Sequence, residues 1–72
     1  MKLRAVVARN LRVLRKHKRF TQEELADIAG INRNYIGQIE REEKSPTVDV
    51  IEKLARSLEA PPEVFFQNPR RN

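Results

Sequence analysis

The apolar residues at the start of the chain recur at helical spacing. Leu3, Val7, Leu11 and Leu14 fall within an arc of about 80° on a helical wheel, which predicts a helix over residues 3–17. Arg9, Arg12 and Lys16 fall on the opposite side. The stripe is narrow and carries no aromatic ring, so it suits packing against other helices better than lying in a membrane surface. A second apolar group, Leu25, Ala26, Ile28 and Ala29, follows Thr21-Gln22-Glu23-Glu24. That tetrad has the form of a capping box, with Thr21 as N-cap and Glu24 reaching back. Gly30 then closes the helix, because glycine adopts the left-handed conformation at least cost. Asn32 is placed to cap a third helix over roughly 33–41. After the polar loop Glu42–Pro46, Thr47 caps a fourth over about 48–59, with Val48, Ile51, Leu54, Ala55 and Leu58 on one face. Pro61-Pro62 opens a short fifth helix, with Pro62 suited to its first position, and this helix carries Val64, Phe65 and Phe66. No strand-like alternation and no internal repeat interrupts the series. The pattern predicts an all-α domain of five short helices on one core, over residues 1–67, with a frayed tail at 68–72. Its second and third helices, joined across Gly30, have the form of a helix-turn-helix over about residues 21–41.

The third helix is two-sided. Arg33, Asn34, Gly37, Gln38 and Arg41 share one face, while Tyr35, Ile36, Ile39 and Glu40 share the other. The first face carries Arg, Asn and Gln and no acid. Those side chains pair bidentately with guanine (Arg) and adenine (Asn, Gln) edges in the major groove. Gly37 weakens the helix by about 0.5–1 kcal/mol relative to alanine. Two readings of it stand: room for a close approach to DNA, or simple tolerance.

Charge agrees with an anionic partner. The 72 residues hold 15 Lys and Arg against 10 Asp and Glu, a net charge of +5. The excess is lopsided: Lys2, Arg4, Arg9, Arg12, Arg15, Lys16, Lys18 and Arg19 precede the first acid, Glu23. Such asymmetry suits nucleic acid or an anionic membrane surface. No run of about 18 apolar residues offers a membrane span, and no apolar stretch follows the basic start as a secretory signal would. With no cysteine and one histidine, disulfides and Cys- or His-based metal sites are not expected. Ser45, Ser57 and His17 have no catalytic partners in pattern, so enzyme activity is not expected either. We expect a cytoplasmic protein with no cofactor and no small-molecule ligand.

The chain resembles a known family. Phe20-Thr-Gln-Glu-Glu-Leu-Ala-Asp-Ile-Ala-Gly30, followed by Asn34-Tyr-Ile-Gly-Gln-Ile-Glu40, is similar to the phage-repressor and Cro-like helix-turn-helix family, the XRE type. The resemblance runs on through Ser45-Pro46 and Val48–Leu58 to Val64-Phe65-Phe66, about residues 7–66. It implies a compact five-helix, lambda-repressor-like domain. Such a domain binds a pseudo-palindromic double-stranded DNA operator, usually as a homodimer, and regulates transcription as a repressor or restriction-modification controller. An antitoxin or protein–protein adaptor with the same fold is the alternative.

The resemblance also implies roles. Gln22, with Thr21, stands where members bond a DNA phosphate at a helix N-terminus. Asn32, Arg33, Asn34 and Gln38 match positions that reach bases, although Asn32 serves equally as an N-cap. Tyr35 either bonds a phosphate or packs with a wet hydroxyl. Arg41 and Lys44 match backbone-contacting positions, with Glu42 and Glu43 beside them as partial neutralisers. Arg15 and Glu40 match a structural ion pair. Arg19 departs from the glycine most members carry there. In the left-handed conformation it costs about 1 kcal/mol, which a phosphate contact would offset; the other reading is a turn that differs from the family's. Val64, Phe65 and Phe66 spread too widely around a short helix for one core to take all three. They are therefore the expected homodimer interface, with the adjoining end of the fourth helix.

Overall fold

The computed structural model describes residues 2–68. All but Asn68 of the expected frayed tail lies outside them. Four α-helices follow one another: α1 (Leu3–His17), α2 (Gln22–Ala29), α3 (Arg33–Glu40) and α4 (Val48–Leu58). The expected fifth helix is instead a 3₁₀ turn, Pro62–Phe66. Its five residues lie between extended Pro61 and extended Gln67. The space admits the i→i−3 bonds of Val64 to Pro61 (3.1 Å) and Gln67 to Val64 (3.3 Å), but not a propagating α-helix. The architecture is all-helical, with no strand among the described residues.

The helix starts are local events. Thr21 Oγ1 accepts from the Glu24 amide at 3.0 Å, and Glu24 Oε1 accepts from the Thr21 amide at 2.8 Å, a complete capping box. Asn32 Oδ1 accepts from the Asn34 amide at 2.7 Å, and Thr47 Oγ1 from the Val50 amide at 3.1 Å. The stops share one motif. After α1, α2, α3 and α4, the chain turns through a residue of positive φ: Arg19 (62°), Gly30 (71°), Glu42 (66°) and Glu59 (57°). The amide after each returns to a carbonyl five residues back: Phe20 to Arg15, Ile31 to Ala26, Glu43 to Gln38 and Ala60 to Ala55. These are Schellman closures. Only one of the four uses glycine; the other three each cost about 1 kcal/mol of backbone strain.

Leu11, Leu25, Ile36, Ile39, Leu54, Leu58 and Phe65 form the sealed centre of the core. Leu14, Ala29, Tyr35 and Val50 pack around it. Three residues expected on buried faces are exposed: Leu3, Ile28 and Val48. Leu3 and Val48 are the first residues of their helices, and Val48 only borders an open hollow beside Pro62 and Phe66. Ile28 lies past the edge of the seam that α2 makes through Leu25 and Ala26. On α1, Val6 and Ala8 are buried as well as Val7 and Leu11.

Two polar ties brace this arrangement from α1. Asn10 Nδ2 donates to the carbonyls of Phe65 and Gln67, each at 2.8 Å, and so holds the 3₁₀ turn on α1. Arg12, on the basic side of α1, sends Nη1 to the carbonyl of Glu40 at 3.0 Å, where it caps the end of α3. No helix among the described residues is long and apolar enough to cross a membrane.

Candidate nucleic-acid interface

Glu40 organises the inner end of α3. Its carboxylate takes Arg15 Nε at 2.7 Å on Oε2 and Arg15 Nη2 at 3.0 Å on Oε1. Gln22 Nε2 adds a third bond, to Oε1 at 3.0 Å. The Arg15 and Glu40 side chains are 11% and 4% exposed. Arg15 spends its remaining Nη1 on the Phe20 carbonyl at 2.9 Å. α1, α2 and α3 are thus locked at one point by a bidentate, nearly dry pair whose carboxylate accepts three hydrogen bonds.

Outward from that lock lies an open hollow of about 480 Å³, lined by Arg15, Thr21, Gln22, Glu23, Arg33, Asn34, Gly37 and Arg41. It joins the N-terminus of α2, whose amide dipoles favour an anion, to the polar face of α3. Arg33 is held at its rim by Glu23, Nη1 to Oε1 at 3.0 Å. Arg41 grips Glu43 with Nε at 2.9 Å and Nη2 at 3.2 Å. The bond and charge of Glu43 push the Arg41 guanidinium up, and the Arg41 bond holds the Glu43 carboxyl below its ordinary range. Both pairs stand in solvent.

The expected site residues divide. Thr21, Gln22, Arg33, Asn34 and Arg41 meet at the hollow; Asn32, Tyr35, Gln38, Lys44 and Arg19 do not line it. Asn32 has its side chain on the N-cap of α3. Tyr35 is half-buried, with its hydroxyl donating to the Ser45 carbonyl at 3.3 Å. Gln38 is half-buried; Lys44 and Arg19 are exposed. Gly37 is buried although it lies on the polar face, because Arg41 and Gln22 cover it. Phe65 belongs to the core and is no part of a free surface, a correction to the expected interface. The 3₁₀ turn rotates Phe65 inward, leaving Phe66 47% exposed and Val64 half-buried. Phe66 instead borders an apolar hollow of about 350 Å³ with Val48, Ile51, Glu52 and Pro62. The Glu23–Arg33 pair and the bond of Arg4 Nε to Ser45 Oγ (2.9 Å) were not foreseen. Their partners are too far apart in sequence to leave a local spacing signal.

Two short helices on a glycine turn, the second opening its polar face beside the first one's N-terminus, define a helix-turn-helix module. A family model described as helix-turn-helix matches residues 11–65. The chain belongs to this helix-turn-helix family, the XRE type of DNA-binding transcription regulators. The control protein C.SmaI of Serratia marcescens is 38% identical over 58 residues, which are 81% of this chain and 69% of that one. A hypothetical transcription factor of Neisseria meningitidis is 43% identical over 56 residues, and the chain spans 53% of its length. The crystal structure of the hypothetical transcription factor NHTF from Neisseria superposes with a TM-score of 0.91 at 37% identity, over 94% of this chain and 78% of that one. The restriction-modification controller C.Esp1396I, solved as a tetramer with its natural 35 base-pair operator, superposes at 0.82 with 33% identity, over 92% and 87%.

Proposed function

We propose that the chain reads a two-fold DNA operator by laying α3 in the major groove. It would do so as a homodimer, and it would act as a restriction-modification controller or a repressor. The observation that carries this reading is the hollow between the N-terminus of α2 and the polar face of α3. Phosphate-seeking groups (Thr21, Gln22, Arg41) stand there beside base-reading types (Arg33, Asn34). Asn32 and Gln38 extend the base-reading row, and Tyr35, Lys44 and Arg19 are further candidates for the flanking backbone. Arg15 and Glu40 orient the helix and take no part in contact. The likeness to C.Esp1396I with its operator supports the same docking. We place the protein in the cytoplasm with its DNA, and assign it no enzymatic role.

A homodimer follows from the size of the reader, since one short helix reads only a few base pairs and half-sites lie one turn, about 34–36 Å, apart. Phe66, half-buried Val64 and the hollow beside the start of α4 supply the apolar surface for it. Selection of bound duplexes from a random-sequence pool tests the whole reading. A two-fold site should emerge, and its affinity should fall steeply with salt as counterions leave the phosphates. A log–log salt slope near zero, or a single unrepeated half-site with a monomer in sedimentation, overturns it.

A further inference from the structure

We propose that Gly37 is a positioning residue for Arg41: its missing side chain is the slot in which the Arg41 guanidinium lies folded back across α3. The inference rests on the operator-binding reading and names a determinant within it. A Cβ built on Gly37 would stand 2.9 Å from Arg41 Nη1, 3.7 Å from Arg41 Cζ and 3.4 Å from Gln22 Oε1. The first distance is closer than real Cβ atoms approach, so a side chain there makes the guanidinium, the free end of a flexible side chain, shift from its place.

The slot explains two oddities. Gly37 sits mid-helix, where it costs about 0.5–1 kcal/mol relative to alanine. It is also buried on the face that carries Arg33, Asn34 and Gln38. Free approach of DNA to the Gly37 backbone does not account for this, because the protein's own Arg41 already covers it. What the glycine secures is the course of Arg41. From the C-cap of α3, the side chain runs back along the helix to Gly37, beside the hollow that it and Gln22 both line. Glu43 holds it there through two bonds on the far side of the guanidinium, Nε and Nη2. Nη1 is thereby left facing the slot and the N-terminus of α2. A phosphate arriving at that N-terminus meets a guanidinium already in place, which spares the ordering of a long side chain.

Gly37→Ala, Arg41→Ala and the double variant separate this from a direct role of Gly37. Each is measured on the duplex recovered from the random pool, over a salt series, with thermal unfolding alongside. Gly37→Ala should keep or raise the melting temperature, since alanine is the better helix former. It should weaken DNA binding by about eightfold at 0.1 M salt and lower the salt slope by about 0.9, one phosphate contact's worth. In the Arg41→Ala background the same change should cost nothing. Equal losses in both backgrounds would mean that Gly37 itself faces DNA, and no loss in either would mean the slot is idle; both outcomes overturn the proposal. A measurement without DNA keeps it distinct from the operator reading. Titration of Glu43 by NMR in Gly37→Ala should show its carboxyl moving up towards the ordinary range as Arg41 is pushed off. An unmoved Glu43 overturns the proposal, whether or not the protein binds any duplex.

Discussion

The buried and exposed sides of α3 carry the same chemistry in opposite settings. On the buried side, Arg15 and Glu40 are nearly dry, paired through two bonds, and braced by Gln22 and the Phe20 carbonyl. On the outer face, Arg33 and Glu23 are 62% and 65% exposed, and Arg41 and Glu43 are 59% and 52% exposed. A buried pair cannot let one partner leave without stranding a charge. An exposed pair, screened by solvent, is worth little and is readily exchanged for another anion. One short helix thus has a fixed root and an adjustable outer surface. Arg12 on the Glu40 carbonyl strengthens the root, and the hollow at α2 opens beside the adjustable part.

The largest way to break this contrast is at the root. Arg15→Met or Glu40→Leu alone should cost about 3 kcal/mol in thermal or denaturant unfolding, because each leaves a buried charge. The two together should cost less than the sum of the singles. Strict additivity would show that the pair is not coupled. On the outer face the order reverses. Arg33→Ala should leave unfolding nearly unchanged yet cost about 1–3 kcal/mol on the best operator, with relaxed preference at one base pair. If affinity for random duplexes falls equally, Arg33 contacts phosphate only.

A smaller effect lies at the junction. Glu42 holds the left-handed turn next to Arg41, so Glu42→Gly should raise stability by up to about 1 kcal/mol, read as an increase in denaturant midpoint. A fall in the midpoint would show that the loss of chain entropy in glycine outweighs the strain. The smallest effect is electrostatic. Arg41 holds the Glu43 carboxyl below its ordinary range, so the pair's contribution is present at neutral pH. It is lost as pH falls through that lowered value. Arg41→Ala should return the Glu43 titration upward while barely moving the unfolding transition; a Glu43 midpoint that stays low would assign its shift elsewhere.

Much of the fold was legible because its signals are short-range. Thr21 with Glu24, Asn32, Gly30 and Thr47 mark helix ends through bonds spanning two to five residues, and such spacing is readable in a linear chain. The outer face of α3 was legible for the same reason, since helical periodicity alone separates Arg33 and Asn34 from Ile36 and Ile39. Arg15–Glu40 came into view through family resemblance, not spacing, for its partners stand 25 residues apart. The left-handed turns at Glu42 and Glu59 carry no glycine and so gave no warning.

By itself the sequence determined the four α-helices, the caps of α2, α3 and α4, the helix-turn-helix and the outward polar face of α3. All of these follow from relations within five residues along the chain and from charge counts. Only the tertiary structure decided that Asn10 holds the 3₁₀ turn, that Arg12 turns to the end of α3, and that Arg41 folds into the gap at Gly37. It alone decided that Phe65 is core while Phe66 is surface, and that Leu3, Ile28 and Val48 stay wet. These outcomes depend on which helix docks beside which and on where each helix ends in space. A side chain's partner across such a gap is set by the packing of distant segments, a quantity no local pattern encodes.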